Sequence, residues 1–210
     1  MNRNYILLFL LLGFTNVNAQ IHEIGVFLGG SNYIGDVGPT TYIAPDEFAF
    51  GLIYKWNKSP RHSWRFSYSQ AKITSSDLKS NSPSRTPRGL YFENNLKEVS
   101  LGLEFNFFDF NLHVFEPKIT PYVYSGLSYF AYDELFYIAG EQKIDFRGGA
   151  LAIPMTLGLK ATIIDQLILG VEVGARYTMT DNLDGSNPKN KILAPLRFGD
   201  INSNDWYVFS

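Results

Sequence analysis

Cysteine is absent from the 210-residue chain, which excludes a disulfide scaffold, a thiol enzyme and a cysteine-ligated zinc site. Charge is scarce too. Asp, Glu, Lys and Arg make up 18% of the residues, and 18 basic against 20 acidic side chains leave a formal charge of -2, without the basic surplus that nucleic-acid binding draws on. Beyond Gln20 no window of about 18 residues is both apolar and uncharged, so no spanning helix is predicted. What the chain does have is 13 Tyr, 17 Phe, 3 Trp and 18 Gly, a content that would not stay disordered in water.

The first residues read as an address. Asn2-Arg3-Asn4 forms a short polar start, Ile6 to Phe14 an apolar run, and Val17-Asn18-Ala19 a cleavage region. The apolar run is too short to span a bilayer, so residues 1–19 are expected to be a cleaved signal peptide and 20–210 a single domain.

From there the chain alternates with period two, eight times. Apolar faces are Ile24/Val26/Leu28; Phe48/Phe50/Leu52/Tyr54/Trp56; Trp64/Phe66/Tyr68; Val99/Leu101/Leu103/Phe105/Phe107; Val123/Leu127/Tyr129; Ile153/Met155/Leu157/Leu159; and Leu167/Leu169/Val171/Val173/Tyr177. An eighth strand, Asp205 to Phe209, is shorter than the about 9–11 residues a membrane strand needs, which leaves closure of the ring open. The opposite faces carry Gly and Ser beside full charges. That suits the crowded lumen of an eight-stranded barrel and would be costly in a sandwich core. Long connections (about 37–47, 77–96, 132–150 and 179–204) fall on one side. Tight ones (57–61 and near Asp165) and an intermediate one (about 109–118) fall on the other. The fold predicted is therefore all-β, an eight-stranded antiparallel transmembrane β-barrel of the outer membrane, with a periplasmic N-terminus and long loops outside. Pro154 lies inside the sixth strand and predicts a bulge there.

Face assignment puts Glu23, Lys55, Arg65, Glu98, Glu104, Lys160, Glu172 and Arg176 in the lumen, four acidic and four basic. Such a balanced set predicts an ion-pair network that plugs the barrel. No enzyme is expected, because His22, His62 and His113 all fall on the periplasmic side, away from substrate at the outer leaflet. Asp36, Asp77, Asp133, Glu134 and Asp181 gather at the outer strand ends and read as strand terminators without a calcium-loop spacing. The basic stretch Lys79 to Arg88 reads as a solvated outer loop. No cofactor, metal, nucleic acid or small-molecule substrate is predicted. The aromatic residues around Trp56, Trp64, Phe105, Phe107 and Phe108 predict a girdle at the periplasmic interface.

Several strings resemble one family. The opening Glu23-Ile24-Gly25-Val26-Phe27-Leu28-Gly29-Gly30-Ser31-Asn32-Tyr33-Ile34-Gly35-Asp36 is similar to the first strand of PorG-like outer-membrane proteins. Glu98-Val99-Ser100, Glu104-Phe105-Asn106-Phe107-Phe108, Pro121 to Leu127 and Asn204 to Ser210 extend the likeness over nearly the whole domain. The resemblance implies a barrel of the type IX secretion machinery of Bacteroidetes that holds a periplasmic ring, made of the PorK-type lipoprotein and PorN, at the outer membrane. Topology then assigns partner contacts to the periplasmic turns, at Asn57, Lys58, Arg61, Phe110, His113, Glu116, Lys118 and Asp165. The alternative is a free-standing surface barrel serving adhesion or envelope integrity.

Overall fold

Eight antiparallel strands follow one another around a closed ring in the computed structural model, which describes residues 22–112, 118–164, 167–200 and 203–210. They are β1 (His22–Ile34), β2 (Glu47–Asn57), β3 (His62–Ser76), β4 (Tyr91–Asn106), β5 (Ile119–Ile138), β6 (Glu141–Ile164), β7 (Leu167–Thr178) and β8 (Trp206–Phe209). Each strand pairs with its sequence neighbours. β8 pairs with both β7 and β1, through Arg176↔Tyr207 and Tyr33↔Tyr207 among others, so the ring closes although β8 is only four residues long. The expected signal peptide, 1–19, lies outside the described residues.

The β2–β3 turn shows how local chemistry sets the register. Pro60 removes a donor at the bend, the N–H groups of Lys58 and Ser59 donate to the His62 carbonyl at 3.0 and 3.1 Å, and the Ser59 hydroxyl accepts from the His62 N–H. With that turn fixed, Trp56 faces Trp64, and every side chain of both strands is assigned to one wall or the other.

The polarity of those walls inverts partway up. On β4 the outward residues Val99, Leu101, Leu103 and Phe105 give way to Lys97, Asn95 and Glu93, while inward Glu98, Ser100 and Glu104 give way to Leu96 and Phe92. Neighbouring strands change at paired positions. Tyr68, Val99, Tyr129 and Leu151 form the last apolar outward row, and the next row is Gln70, Lys97, Ala131 and Gly149. Inside, the outer half holds a hydrophobic core of Ile73, Phe92, Leu96, Phe130, Leu135, Leu183 and Tyr207. The inner half is thus apolar outside and polar inside, and the outer half is built as a water-soluble barrel would be.

Three expectations are corrected, the first two of them by the inversion. Residues 132–150 are not a loop but the outer parts of β5 and β6, joined by Ala139-Gly140, both at positive φ (53° and 82°), as a two-residue hairpin turn requires. Likewise 91–96 belongs to β4. In both places the strands continue with reversed polarity, so apolar alternation on the original face stops where the strand does not. Pro154 makes no bulge. β6 keeps one register on either side of it, only the pairs opposite Gly126 and Leu127 are interrupted, and the shifts fall at Glu134/Leu135 and Thr162/Ile164.

Candidate functional site

Seven of the eight predicted lumen charges meet in two ionic groups inside the barrel, because alternation on five strands aims them at a common axis. In the lower group the Glu104 carboxylate, fully buried, accepts from Lys55 Nζ at 2.8 Å and Lys160 Nζ at 2.7 Å, with Arg65 at 3.7 Å. Arg65 binds Glu172 through both terminal nitrogens at 2.7 and 2.8 Å and lies 4.7 Å from the Tyr124 ring centre. Tyr122 donates to Glu172 at 2.5 Å. Its ring crosses the lumen over Gly158, where an added Cβ would come within 2.3 Å of it. In the upper group Arg176 pairs with Glu98 at 3.3 Å and lies 4.2 Å from the Phe209 ring centre, and the Tyr207 hydroxyl donates to the same carboxylate. Glu23 is the exception: half-buried at the inner mouth, it accepts from Asn57 at 2.8 Å. Each cation here sits against a carboxylate, which offsets the cost of removing it from water only while every partner stays.

A third group, which the alternation did not reveal, lies above these. Glu134, read as a strand terminator, is buried and accepts from Tyr132 at 2.5 Å, Asn182 at 2.6 Å and Lys189 at 2.6 Å. Its position inward on β5, two residues beyond Tyr132, was the available signal.

The outer mouth is sealed by loops 35–46 and 77–90 and by residues 179–200 and 203–205. Asp77, also read as a strand terminator, is buried; it accepts from Gly38 and Leu90 N–H at 2.8 and 3.2 Å and from Arg88 at 2.7 Å. Burial raises its carboxyl, but Arg88 and those two N–H groups outweigh burial and hold it below the ordinary value. Arg88 also donates to the Asp36 carbonyl at 2.6 Å, and Arg85 to that of Gly38 at 2.6 Å, so these two arginines clasp the neighbouring loop while Lys79 and the residues around Pro83 and Pro87 remain exposed as expected. Asp184 receives Val37 N–H at 3.0 Å, and Asp205 receives Leu183 N–H at 2.8 Å. Asp181 differs. Burial first, then the charges of Asp36, Asp184 and Asp200, push its carboxyl up to about 7 against a hydrogen bond from Asn187. Among the described residues no group of three or more side chains is disposed to hold a metal ion.

The inner end is open by contrast. A cavity of about 440 Å³ enters between β1 and β7 and ends on Lys55, Tyr122, Lys160 and Glu172. Of the residues expected to face a partner here, Lys58 is exposed beside the Trp56 ring, and Arg61 is exposed and pairs with Asp109 at 2.5 Å. Lys118 donates to the Asn111 carbonyl at 2.9 Å. Two others are corrected. Phe110 is buried beneath Lys160, 4.8 Å from its Nζ, because its N–H is drawn to the Pro60 carbonyl at 3.0 Å. Asn57 turns inward to Glu23 and Ser63. His113, Glu116 and Asp165 lie outside the described residues. His22 meets the Tyr54 hydroxyl at 2.7 Å and His62 the Ser59 hydroxyl at 3.2 Å, both at this inner end.

The outer wall explains the aromatic excess. Val26, Leu101 and Leu169 are 67%, 53% and 64% exposed. Their neighbours make a continuous apolar belt far larger than a water-soluble monomer presents. Eight residue steps from Val99 to Phe107, at about 3.3 Å each and tilted about 40°, rise about 20 Å, near the about 25 Å apolar band of outer-membrane barrels. Tyr54, Trp56, Trp64 and Phe66 cluster at its lower margin around a surface groove, as interfacial rings do. A closed ring of eight strands, apolar without and ion-paired within, defines a small membrane β-barrel of the outer-membrane type. More particularly, the chain belongs to the family described as Domain of unknown function (DUF6089), whose model matches residues 2–210. Among solved structures it is similar to the N-terminal β-barrel domain of Pseudomonas aeruginosa OprF, at 12% identity and a TM-score of 0.42, covering 90% of this chain and 97% of that one. It is similar at the same identity and TM-score to Ail, the attachment invasion locus protein of Yersinia pestis, solved with the heparin analogue sucrose octasulfate, covering 90% of this chain and 92% of that one. No curated protein sequence matches it.

Proposed function

We propose that this chain is a non-enzymatic outer-membrane barrel that anchors a periplasmic assembly, as a component of a type IX secretion machine. The observation that carries the reading is the contrast between the ends. The lumen is filled by ion pairs and the outer mouth is clasped shut, whereas the inner end presents an open cavity and the exposed Lys58 and Arg61. A barrel of this width offers no diffusion path, so its inner face is the surface available for work inside the envelope. The strings Glu23 to Asp36 and Glu104 to Phe108, similar to PorG-like proteins, support a ring of PorK-type lipoprotein and PorN as the partner.

Affinity purification from outer-membrane fractions tests this: periplasmic ring proteins co-purify, and Lys58→Glu with Arg61→Glu lowers their recovery. Intact cargo secretion in a strain lacking the gene would refute the secretion role. A second reading, a free-standing surface barrel, is favoured by the β5–β6 hairpin that projects past the core with Ile138, Ile144 and Phe146 exposed. Recovery of a surface ligand and no periplasmic protein would select it.

A further inference from the structure

One stretch of the outer wall is covered by the chain itself. Tyr33 points into the barrel, where its ring packs on Phe92, so alternation turns Gly30 and Asn32 outward. Asn32 is nevertheless only 2% exposed. The end of the β1–β2 loop folds back over it. The Asn32 side-chain amide donates to the Thr41 and Tyr42 carbonyls at 3.1 and 3.3 Å, and its oxygen accepts from the Ala44 N–H at 3.4 Å. Pro45 covers Gly30, where an added Cβ would come within 2.2 Å of the proline Cβ. Held in this way against the outer wall, residues 41–45 present Tyr42 and Ile43, 77% and 57% exposed.

Strand pairing sets the height of this flap. The row of partners that starts at His22 passes through Trp56, Trp64, Leu103, Ser125, Met155, Ala175 and Val208 and returns to β1 at Asn32, ten residues further along. Spread over the eight strands of a tilted barrel, that climb sets Gly30 level with Val99 and Asn32 level with Lys97, the two sides of the apolar boundary on β4. The flap therefore lies at the outer edge of the belt. It adjoins exposed Phe48, which pairs opposite Gly30, and Phe50, whose ring centre is 6.2 Å from that of Phe48. Its composition fits that level. From Val37 to Pro45 no residue is charged, while loops 77–90 and 179–200 carry charges of both signs. Irregular backbone is not tolerated in hydrocarbon, so the backbone of the flap belongs at headgroup level and only its side chains reach lower.

We propose that residues 41–45 form a membrane-contacting flap that seats Tyr42 and Ile43 among the lipids of the outer leaflet. Continuity with the belt names lipid as the occupant. Leu28, Phe48 and Phe50 beside the flap are exposed and apolar like the rest of the belt, and a tyrosine at that boundary places its ring among acyl chains and its hydroxyl among headgroups. The same loop closes the outer mouth through Val37 and Gly38, whose N–H groups Asp184 and Asp77 hold. Lipid contact at Tyr42 and Ile43 thereby ties the outer cap to the membrane surface, a role separate from any at the periplasmic end.

Tyr42→Cys and Ile43→Cys, each labelled with a fluorophore in the full chain folded into phosphatidylcholine vesicles, test the proposal, since no native cysteine competes for the label. Leu101→Cys in the belt is the lipid reference, and Ile138→Cys at the tip of the β5–β6 hairpin is the water reference. Phospholipid brominated near the headgroup end of its chains quenches from the lipid side, and iodide quenches from the water side. The expected result at both flap positions is bromolipid quenching at least half of that at Leu101, with iodide quenching less than half of that at Ile138. Asn32→Leu, which drops the three bonds that hold the flap, is expected to abolish the bromolipid quenching at Ile43→Cys. Heat-modifiable mobility verifies folding, and Thr41→Cys stands in for a flap variant that fails to fold. Iodide quenching equal to that at Ile138 would overturn the proposal. So would shielding from iodide without bromolipid quenching, the sign of a second copy covering the patch, and so would bromolipid quenching left unchanged by Asn32→Leu, the sign of a loose loop instead of a fastened flap.

Discussion

On β4, Phe92 and Glu98 point to the same side of the sheet, six residues apart, and both are buried. Phe92 packs in an apolar core against Tyr33, with ring centres 4.7 Å apart, while Glu98 is held by Arg176 and Tyr207. What changes between them is the surroundings of the other face. Opposite Phe92 lie Lys72 and Glu93, paired at 2.7 Å in water; opposite Glu98 lie Val99 and Leu101, exposed and apolar. Two halves made of the same strands therefore draw stability from opposite sources, burial of apolar side chains outside the membrane and satisfied ion pairs within it. Where the solvent switches from water to hydrocarbon, the sequence switches face.

Substitutions that swap the rules of the two halves expose the difference. Largest are losses of a buried anchor. Glu104→Ala leaves Lys55 and Lys160 without their carboxylate, and a loss of about 3–5 kcal/mol is expected, while Glu93→Ala, an exposed partner on the same strand, costs about 0–1 kcal/mol. Phe92→Ala in the outer core costs about 3–5 kcal/mol through its cavity. Equilibrium unfolding in urea from lipid vesicles measures all three. Next, Leu101→Arg on the belt costs about 2–4 kcal/mol, whereas Asn95→Arg, on the same face above the inversion, stays within about 0.5 kcal/mol; equal penalties would erase the boundary. Smaller again, Ala139→Gly relieves the positive φ of 53° at the hairpin turn and raises stability by about 1 kcal/mol in the same assay.

The weakest effect concerns pH at the outer cap. The Asp181 carboxyl, raised to about 7 chiefly by burial, favours the packed loop when protonated. Its contribution is full below the ordinary carboxylate value and lost as pH rises through about 7. Amide exchange in loop 179–200, taken relative to its intrinsic hydroxide-catalysed rate, should accelerate between pH 6 and pH 8, and Asp181→Asn should flatten that change. Asp77, held low by Arg88, stays ionised throughout this range and adds no slope.

The inner half was legible in the sequence because one rule holds along each strand there: Val99, Leu101, Leu103 and Phe105 against Glu98, Ser100 and Glu104. That rule placed the eight lumen charges on the correct wall. The outer half was not legible to it, since Leu96 and Phe92 continue the face of Glu98 with opposite polarity, and a search for a single apolar face ends at residue 98. The clasp of Asp77, Arg85 and Arg88 depends on loops far apart in sequence, 11 residues within one and 39 between Gly38 and Asp77, so no local spacing marks it. Phe110 and Asn57 followed the topology to the inner end, but their direction there was set by bonds to Pro60 and Glu23.

The inversion is tested most directly by depth along β4. Single cysteines at the outward positions Glu93, Asn95, Lys97, Val99, Leu101, Leu103 and Phe105, clean probes in a chain without native cysteine, can carry a spin label in lipid vesicles and be read for collision with oxygen and with a water-soluble relaxant. The prediction is a step between Lys97 and Val99, with water contact at the first three positions and lipid contact at the last four. Water contact at all seven, or lipid contact reaching Glu93, would contradict a barrel that turns inside out at that level.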